Sequence, residues 1–121
     1  MKQLLFASAL VLASLSSFGC SEGGFVDAIV IENPTAFTAN VDVGGDTREG
    51  WVGLATVQAN SEATIRNVLD QGDSWTFRFG YSGYQQEIRL SREDLARGRW
   101  RVPIPSSFES ELRRRGLVPP P

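Results

Sequence analysis

The stretch from Asp73 to Leu90 constrains the fold more than any other part of the sequence, because one pairing register suits both of its faces. Four aromatic residues recur there at a spacing of two: Trp75, Phe77, Phe79 and Tyr81. A period of two places them on one face of an extended strand. Ser82-Gly83 follows as a two-residue turn, in which the glycine can adopt a positive φ.

The register of this hairpin follows if Tyr81 pairs with Tyr84. The cross-strand pairs then include two apolar pairs on the aromatic face and an opposite-charge pair on the other: Phe77 with Ile88, Trp75 with Leu90, and Arg78 with Glu87. Such pairs stabilise a sheet, and a slip of one residue would turn every side chain to the wrong face. The sequence therefore predicts a hairpin with one buried and one solvated face.

Composition narrows the classes of function. The 121 residues carry a formal net charge of -2 and contain no histidine. The absence of a basic excess argues against a nucleic-acid partner, and the absence of histidine removes the commonest general base. Neither a Gly-x-Ser-x-Gly elbow nor a phosphate loop is present in the sequence. We predict a protein that is not an enzyme and that requires no cofactor.

The N-terminus has the order of regions found in a secretory signal peptide. Met1-Lys2-Gln3 is a short basic start, Leu4 to Leu15 is uncharged and apolar or small, and small residues lead up to Cys20. The apolar run is shorter than a stable membrane-spanning helix requires. We assign residues 1–19 to a signal peptide that is removed from the mature protein.

The segment Ser17-Phe18-Gly19-Cys20 resembles the lipobox of a bacterial lipoprotein precursor. That resemblance implies cleavage before Cys20, attachment of diacylglycerol to its sulfur, and a membrane partner reached through this anchor. Ser21 resembles the pattern of lipoproteins sent to the outer membrane, so the expected location is the bacterial cell envelope, at the outer membrane facing the periplasm. Two alternatives remain: an ordinary Cys20 after cleavage elsewhere, or an uncleaved N-terminal anchor.

The remainder of the chain divides into a short tether, a β domain and a C-terminal segment. Residues 20–24 form the lipidated cysteine and the tether, 25–105 the β domain, and 106–121 a short helix with a proline-rich tail. Seven short strands separated by turn residues predict an all-β fold. We expect an antiparallel seven-stranded sandwich that resembles immunoglobulin-like envelope proteins in architecture, with short helical turns near the C-terminus. A small antiparallel barrel is the alternative.

Trp51 is the most interesting candidate for ligand binding, because it follows the polar Gly44–Gly50 loop that also contains Asp46 and Glu49. An exposed tryptophan suits a glycan, and clustered carboxylates suit Ca²⁺. Other loop acids are ordinary turn residues as well as candidate Ca²⁺ ligands: Asp42, Asp70 and Asp73. No EF-hand spacing occurs, and no metal site is predicted. Trp75 and Trp100 fall on apolar strand faces, which favours a role in the core.

The run Arg113-Arg114-Arg115 has two interpretations. It could contact anionic lipid headgroups or an acidic partner, or it could stabilise the C-terminal end of the last helix. The sequence leaves two candidate functions. The first is a non-catalytic, membrane-anchored envelope lipoprotein that acts through an envelope protein partner or as a structural part. The second is a ligand-binding module for glycan or Ca²⁺, centred on Trp51.

Overall fold

The computed structural model describes residues 24–45 and 48–121, apart from the side chains of Arg48 and Glu49. The elements in chain order are β1 (Phe25–Asn33), β2 (Ala39–Gly45), β3 (Arg48–Val57), β4 (Ser61–Leu69), β5 (Ser74–Tyr81), β6 (Tyr84–Ser91), α1 (Arg92–Arg97), β7 (Arg101–Pro103) and α2 (Ser106–Arg114). The predicted signal peptide, Cys20 and the predicted tether up to residue 23 lie outside the described residues.

The predicted hairpin forms in the predicted register. β5 and β6 pair antiparallel, with Tyr81 opposite Tyr84 and Phe77 opposite Ile88. The turn residues Ser82 and Gly83 have φ values of 49° and 87°. Positive φ at both central positions matches the twist of the flanking strands, which is why such turns close two-residue hairpins.

The strands form two separate sheets, so the predicted all-β sandwich is confirmed and the barrel alternative is wrong. The strand orders are β4-β1-β7 and β3-β2-β5-β6. In an immunoglobulin domain the first, second, fourth and fifth strands share one sheet. Here the first and fourth strands lie in one sheet and the second and fifth in the other. The likeness to that family is therefore limited to two packed sheets.

One strand pair departs from the expected antiparallel arrangement, because β7 runs parallel to β1, with Val30 opposite Arg101 and Ile31 opposite Val102. After β6 the chain passes through α1 and then turns at Arg99 and Trp100, both with a φ of 59°. This reversal brings β7 to the edge of the three-stranded sheet in the direction of β1. Pro103 has no N–H to offer a further strand, as expected for a protected edge.

The crossing from β1 to β2 is fixed by a buried polar network. Asn33 Oδ1 accepts hydrogen bonds from the backbone N–H and the hydroxyl of Thr35 at 3.0 and 2.7 Å. Asn33 Nδ2 donates to the carbonyls of Phe37 at 2.8 Å and of Val57 at 3.1 Å. Buried polar groups need such partners. Asn33 therefore joins the end of β1 to the end of β3 in the opposite sheet.

The core lies between the sheets and is completed by the two helices. Trp75, Phe77 and Phe79 are fully buried on the inner face of β5. Each helix adds at least one buried apolar side chain to the core, Leu95 from α1 and Phe108 and Leu112 from α2. The Phe108 ring lies 6.4 Å from that of Phe79 between centroids. Because the second sheet has only three strands, the helices cover inner-face residues of β5 and β6.

The two helices begin differently. Ser91 is followed by acids at 93 and 94, a sequence that predicts an N-cap. Ser91 does cap α1, and its side chain and that of Asp94 form a reciprocal capping box. Ser106 and Glu109 have the spacing that predicts a second capping box, but this prediction is wrong. Pro105 takes the N-cap position with an extended backbone and offers no side-chain hydrogen bond, so α2 already includes Ser106. Glu109 instead accepts from Arg113 one turn later at 2.7 Å.

The two ends of the sandwich differ in their distance from the N-terminus. The carbonyl of Gly24 accepts a hydrogen bond from the Asp70 N–H at 3.0 Å, which fixes the start of the domain beside the β4–β5 turn. The other end carries the Ser82–Gly83 turn and α2. The nine residues of β1 separate these ends by about 30 Å. Neither described helix is long and apolar enough to cross a membrane.

Candidate functional site

The candidate site lies on the outer face of the four-stranded sheet. This face consists of the residues that alternate with the buried ones: Asn40, Asp42 and Gly44 on β2; Trp51, Gly53 and Thr56 on β3; Thr76, Arg78 and Gly80 on β5; Gln85, Glu87 and Arg89 on β6. Antiparallel sheets commonly keep one such polar face in water. What distinguishes this one is a large aromatic ring held among charged groups.

Trp51 is 40% exposed and its indole lies across Gly44 of the neighbouring strand. A Cβ on Gly44 would lie only 3.3 Å from Trp51 Cε3, so glycine is what lets the ring approach the backbone of β2. The pairing of β2 with β3 shifts register between Val43 and Gly45, and Gly50 has a φ of 86°. Such irregularities redirect side chains, and here the irregular segment includes Trp51.

Arg78 stacks against this ring and is held from a second side. Its Cζ is 4.0 Å from the centroid of the Trp51 ring, within the range of a cation–π contact. Its Nη2 donates to Asp42 Oδ2 at 2.9 Å. Arg78 is also the cross-strand neighbour of Glu87, as predicted, but its ion pair is with β2. The arrangement fixes the guanidinium between an aromatic face and a carboxylate.

Sequence reasoning missed the Asp42–Arg78 pair. It treated Asp42 as a loop acid, whereas Asp42 lies within β2 and faces Arg78 directly in the pairing of β2 with β5. The alternation of polar and apolar residues along β2 was the available signal. It indicated which face Asp42 occupies, but it could not indicate which strand lies beside β2, since the two segments are 36 residues apart.

Shallow depressions lie beside the ring and farther along the strands. One, of about 290 Å³, has a lining that includes Trp51, Thr76, Glu87 and Arg89. A second, of about 320 Å³, lies between β2 and β3, and Asn40 and Thr56 are among its lining residues. Glycines at positions 44, 53 and 80 lower the surface because they carry no side chain. The outer face is therefore a polar, uneven surface with one aromatic platform.

The other predicted site residues are only partly described. Asp46 lies outside the described residues, and nothing is described of the Glu49 side chain. Asp70 accepts a hydrogen bond from Gly72 N at 2.8 Å and forms an ion pair with Arg92, which gives it a role within the turn. In the described part of the chain, no group of three or more His, Cys, Asp or Glu residues is arranged to hold a metal ion.

Trp75 and Trp100 lie in or against the core, as predicted. Trp75 is fully buried and its Nε1 donates to the carbonyl of Gly72 at 2.8 Å. Trp100 is half-buried and meets Trp75 edge-to-face, with 5.5 Å between ring centroids. Their contribution is to packing. Of the three tryptophans, Trp51 alone is exposed enough to offer a ring to a ligand.

The arginines of α2 are engaged within their own helix. Arg113 donates to Glu109, while Arg114 and Arg115 pair with Glu111. The hydrogen bond from Arg114 is the main cause that lowers the pKa of the Glu111 carboxyl below its ordinary value. Arg115 also lies over the Tyr84 ring, at the end of the sandwich away from Gly24. These contacts favour the interpretation in which the arginines stabilise the helix.

A larger groove lies at the same far end, on the three-stranded sheet. It measures about 510 Å³, and its lining includes Glu32, Asn60, Glu62 and Pro103. Arg101 bridges the two carboxylates, with donor–acceptor distances of 2.7 Å to each. The hydrogen bond to Glu32 is the main cause that raises the pKa of Arg101. Arg101 therefore satisfies both carboxylates of this groove.

The comparisons with known proteins give no relative from which a role could be transferred to these residues. No protein-family model matches the sequence, and neither a curated protein nor a solved structure matches it.

Proposed function

We propose that this chain is a non-catalytic, lipid-anchored protein of the bacterial cell envelope, at the outer membrane facing the periplasm, whose mature domain acts through contacts with other envelope molecules. The signal peptide over residues 1–19 and the lipobox ending at Cys20 support the anchor. The folded domain begins at Phe25, directly after the proposed tether. The chain therefore divides into an attachment segment and a compact domain that follows it closely.

The short tether bears on how the domain is presented. Residues 20–24 span at most about 17 Å when fully extended. Gly24 is fixed beside the β4–β5 turn, so this end of the sandwich would lie nearest the membrane. The arginines of α2 would then lie toward the periplasm, which favours their intrahelical role over a contact with lipid headgroups. The outer face would be directed sideways, neither toward the membrane nor away from it, with Trp51 in its membrane-proximal half.

The observation that best supports a role in contacts is the fixed group of Trp51, Arg78 and Asp42 on the outer face. Trp51 is exposed, although a polar surface that served only solvation would need no tryptophan there. Aromatic and Arg side chains are the residues most enriched at binding surfaces. The first candidate function is contact with an envelope protein partner or a structural role. The second is binding of a glycan, which the exposed indole favours, or of Ca²⁺.

The anchor is tested by the intact mass of protein extracted from membranes. We expect loss of residues 1–19 and an added mass corresponding to acyl chains on Cys20. The matched control is Cys20→Ala, which keeps the signal peptide and the domain but removes the acceptor sulfur. It should be absent from the lipidated fraction. An unmodified thiol at Cys20 in the wild-type protein would contradict the anchor.

The contact surface is tested by photo-crosslinking in intact cells. A photoreactive residue is placed at Thr56 or Gln85 on the outer face, and at Thr64 on the exposed face of β4 as the control. All three side chains are exposed, so a difference in adduct yield between positions reflects which face makes contacts and not how accessible each position is. We expect specific adducts from the two outer-face positions. Equal adducts from Thr64, or none from any position, would contradict a role for the outer face.

A further inference from the structure

We infer that the outer face of the four-stranded sheet binds a glycan, with the indole of Trp51 as the stacking platform. The inference rests on the proposed role of this face in contacts and names the class of ligand. It is carried by the position of Trp51, the fixed charges beside it, and the shape of the surface beyond it.

The platform is held open by the backbone beneath it. Trp51 lies across Gly44 and stacks against the Arg78 guanidinium, and 40% of the residue remains exposed. A ring supported from below keeps its orientation without a ligand, which reduces the entropy lost on binding. The C–H groups on one side of a sugar ring present a flat apolar surface that stacks on such an indole. The geometry suits a sugar ring lying on the sheet.

The polar groups around the platform suit sugar hydroxyls. Glu87 and Arg89 line the depression next to the indole, together with the hydroxyl of Thr76. Adjacent hydroxyls of a sugar both donate and accept, and planar carboxylate and guanidinium groups can engage two of them at once. Asp42 forms an ion pair with Arg78 at 2.9 Å, so the charge of the guanidinium against the ring is already neutralised. This mixture of donors and acceptors favours an uncharged polyhydroxylated ligand.

Other ligands fit this surface less well. β2 and β5 are hydrogen-bonded on both sides, so the middle of the sheet offers no free backbone for a peptide strand to pair with. Among the described residues of this face, a peptide side chain would find one ring and no apolar pocket. For Ca²⁺, the described carboxylates are opposed by cations: Asp42 by Arg78, and Glu87 by the adjacent Arg89 in the lining. A cation would be repelled there.

The surface is long enough for more than one sugar ring. From Gly44 to Asn40 along β2 the distance is about 14 Å at the rise of an antiparallel strand. The second depression lies at the far end of this stretch, where Asn40 accepts a hydrogen bond from the Thr56 hydroxyl at 2.8 Å. Between the two depressions lies the Asp42–Arg78 pair, with glycines at 53 and 80 beside it. We infer an oligosaccharide that extends from Trp51 along β2.

The test uses the detergent-extracted mature protein and two probes: soluble β-1,4-linked oligomers of N-acetylglucosamine and of glucose. Binding is measured by calorimetry and by the change in tryptophan fluorescence on adding the probe, which should come from Trp51 because Trp75 is fully buried. We expect saturable binding of at least one probe, and a loss of about tenfold or more in affinity for Trp51→Ala, corresponding to about 1.4 kcal/mol. Gly44→Ala should also weaken binding, because it displaces the ring while keeping it.

Thr64→Ala, on the exposed face of the other sheet, is the control and should bind as the wild type does. Cooperative thermal unfolding well above the temperature of the binding assay establishes that the variants are folded. Saturable binding that Trp51→Ala leaves unchanged would overturn the inference, and so would the absence of binding to both probes. If neither probe binds but the outer-face positions still crosslink to partners, the surface is used in contacts and its ligand is not a glycan of these types.

Discussion

The two faces of the four-stranded sheet use the same residue types for different purposes. On the inner face, Trp75, Phe77 and Phe79 are fully buried against the second sheet and the helices. On the outer face, Trp51 rests on a glycine and a guanidinium and stays 40% exposed. Phe77 and Arg78 are neighbours in sequence and lie on opposite faces. The comparison teaches that burial, and not residue type, separates a tryptophan that stabilises the fold from one available for binding.

The same comparison applies to two adjacent glycines at the end of β2. A Cβ on Gly45 would lie 2.3 Å from the backbone oxygen of Gln71, whereas a Cβ on Gly44 would meet the Trp51 ring at 3.3 Å. A backbone atom in a packed turn cannot move aside, but a half-exposed ring can. Gly45 is therefore required by the packing of the fold, and Gly44 by the position of the indole.

The largest difference should appear between two tryptophan truncations. Trp75→Ala leaves a cavity in the core and should lower the free energy of unfolding by about 3–5 kcal/mol. Trp51→Ala removes a half-exposed ring and should cost about 1 kcal/mol or less. Chemical denaturation of both variants measures the difference. If Trp51→Ala costs as much as Trp75→Ala, Trp51 is a core residue and the ligand-binding function fails.

The glycine pair should give the next largest difference. Gly45→Ala forces the β2 backbone away from Gln71 and should destabilise by about 1–3 kcal/mol, as overpacking does. Gly44→Ala should change stability by less than about 1 kcal/mol, because the indole can tilt outward into solvent. Thermal unfolding compares the two. A larger loss for Gly44→Ala would mean that the Trp51 ring is fixed more firmly than its exposure indicates.

The ion pair of the outer face should contribute little to stability. Asp42 and Arg78 are both partly exposed, and pairs of this kind are worth about 0–1 kcal/mol. A double-mutant cycle with Asp42→Ala and Arg78→Ala, at low and high salt, measures the coupling. We expect a small coupling that decreases as salt increases. A coupling of several kcal/mol would place this pair among the groups that hold the fold together.

The smallest effect is expected at a carboxylate that belongs to neither face. Hydrogen bonds from the backbone N–H and hydroxyl of Ser91 lower the pKa of Asp94 below its ordinary value of 3.8. A lowered folded-state pKa stabilises the protein above the ordinary value, and this contribution is lost as pH falls through the folded-state value. Asp94→Asn should flatten the pH dependence of stability below about pH 4. A steeper dependence in the variant would contradict this role.

The features that the sequence predicted correctly are those whose interacting residues are close together along the chain. The β5–β6 hairpin was predicted to the residue, because its strands are joined by two residues and both faces constrain the register. The Ser91 cap was predicted for the same reason, since its partner is three residues away. The capping box at Ser106 failed because Pro105, with its fixed φ, took the N-cap position.

Arrangements between distant segments could not be predicted in this way. Alternation along β2 indicates which side chains are buried, but not that β2 lies between β3 and β5. The expectation of a fully antiparallel sandwich was wrong for this reason, because β7 runs parallel to β1. Trp51 was recognised as a candidate, but its supports were not, since Gly44 and Arg78 reach it only through the order of the strands in the sheet.

The sequence by itself determined which strands have one buried and one solvated face and that the buried face of the hairpin is aromatic. It also predicts an anchor at Cys20. Each of these depends on residues close together in the chain. Only the tertiary structure decided the strand order, the parallel pairing of β7 and the placement of Trp51 over Gly44 and Arg78. These depend on how two sheets pack, which is set by the sum of many weak contacts between distant residues. No local pattern encodes that sum.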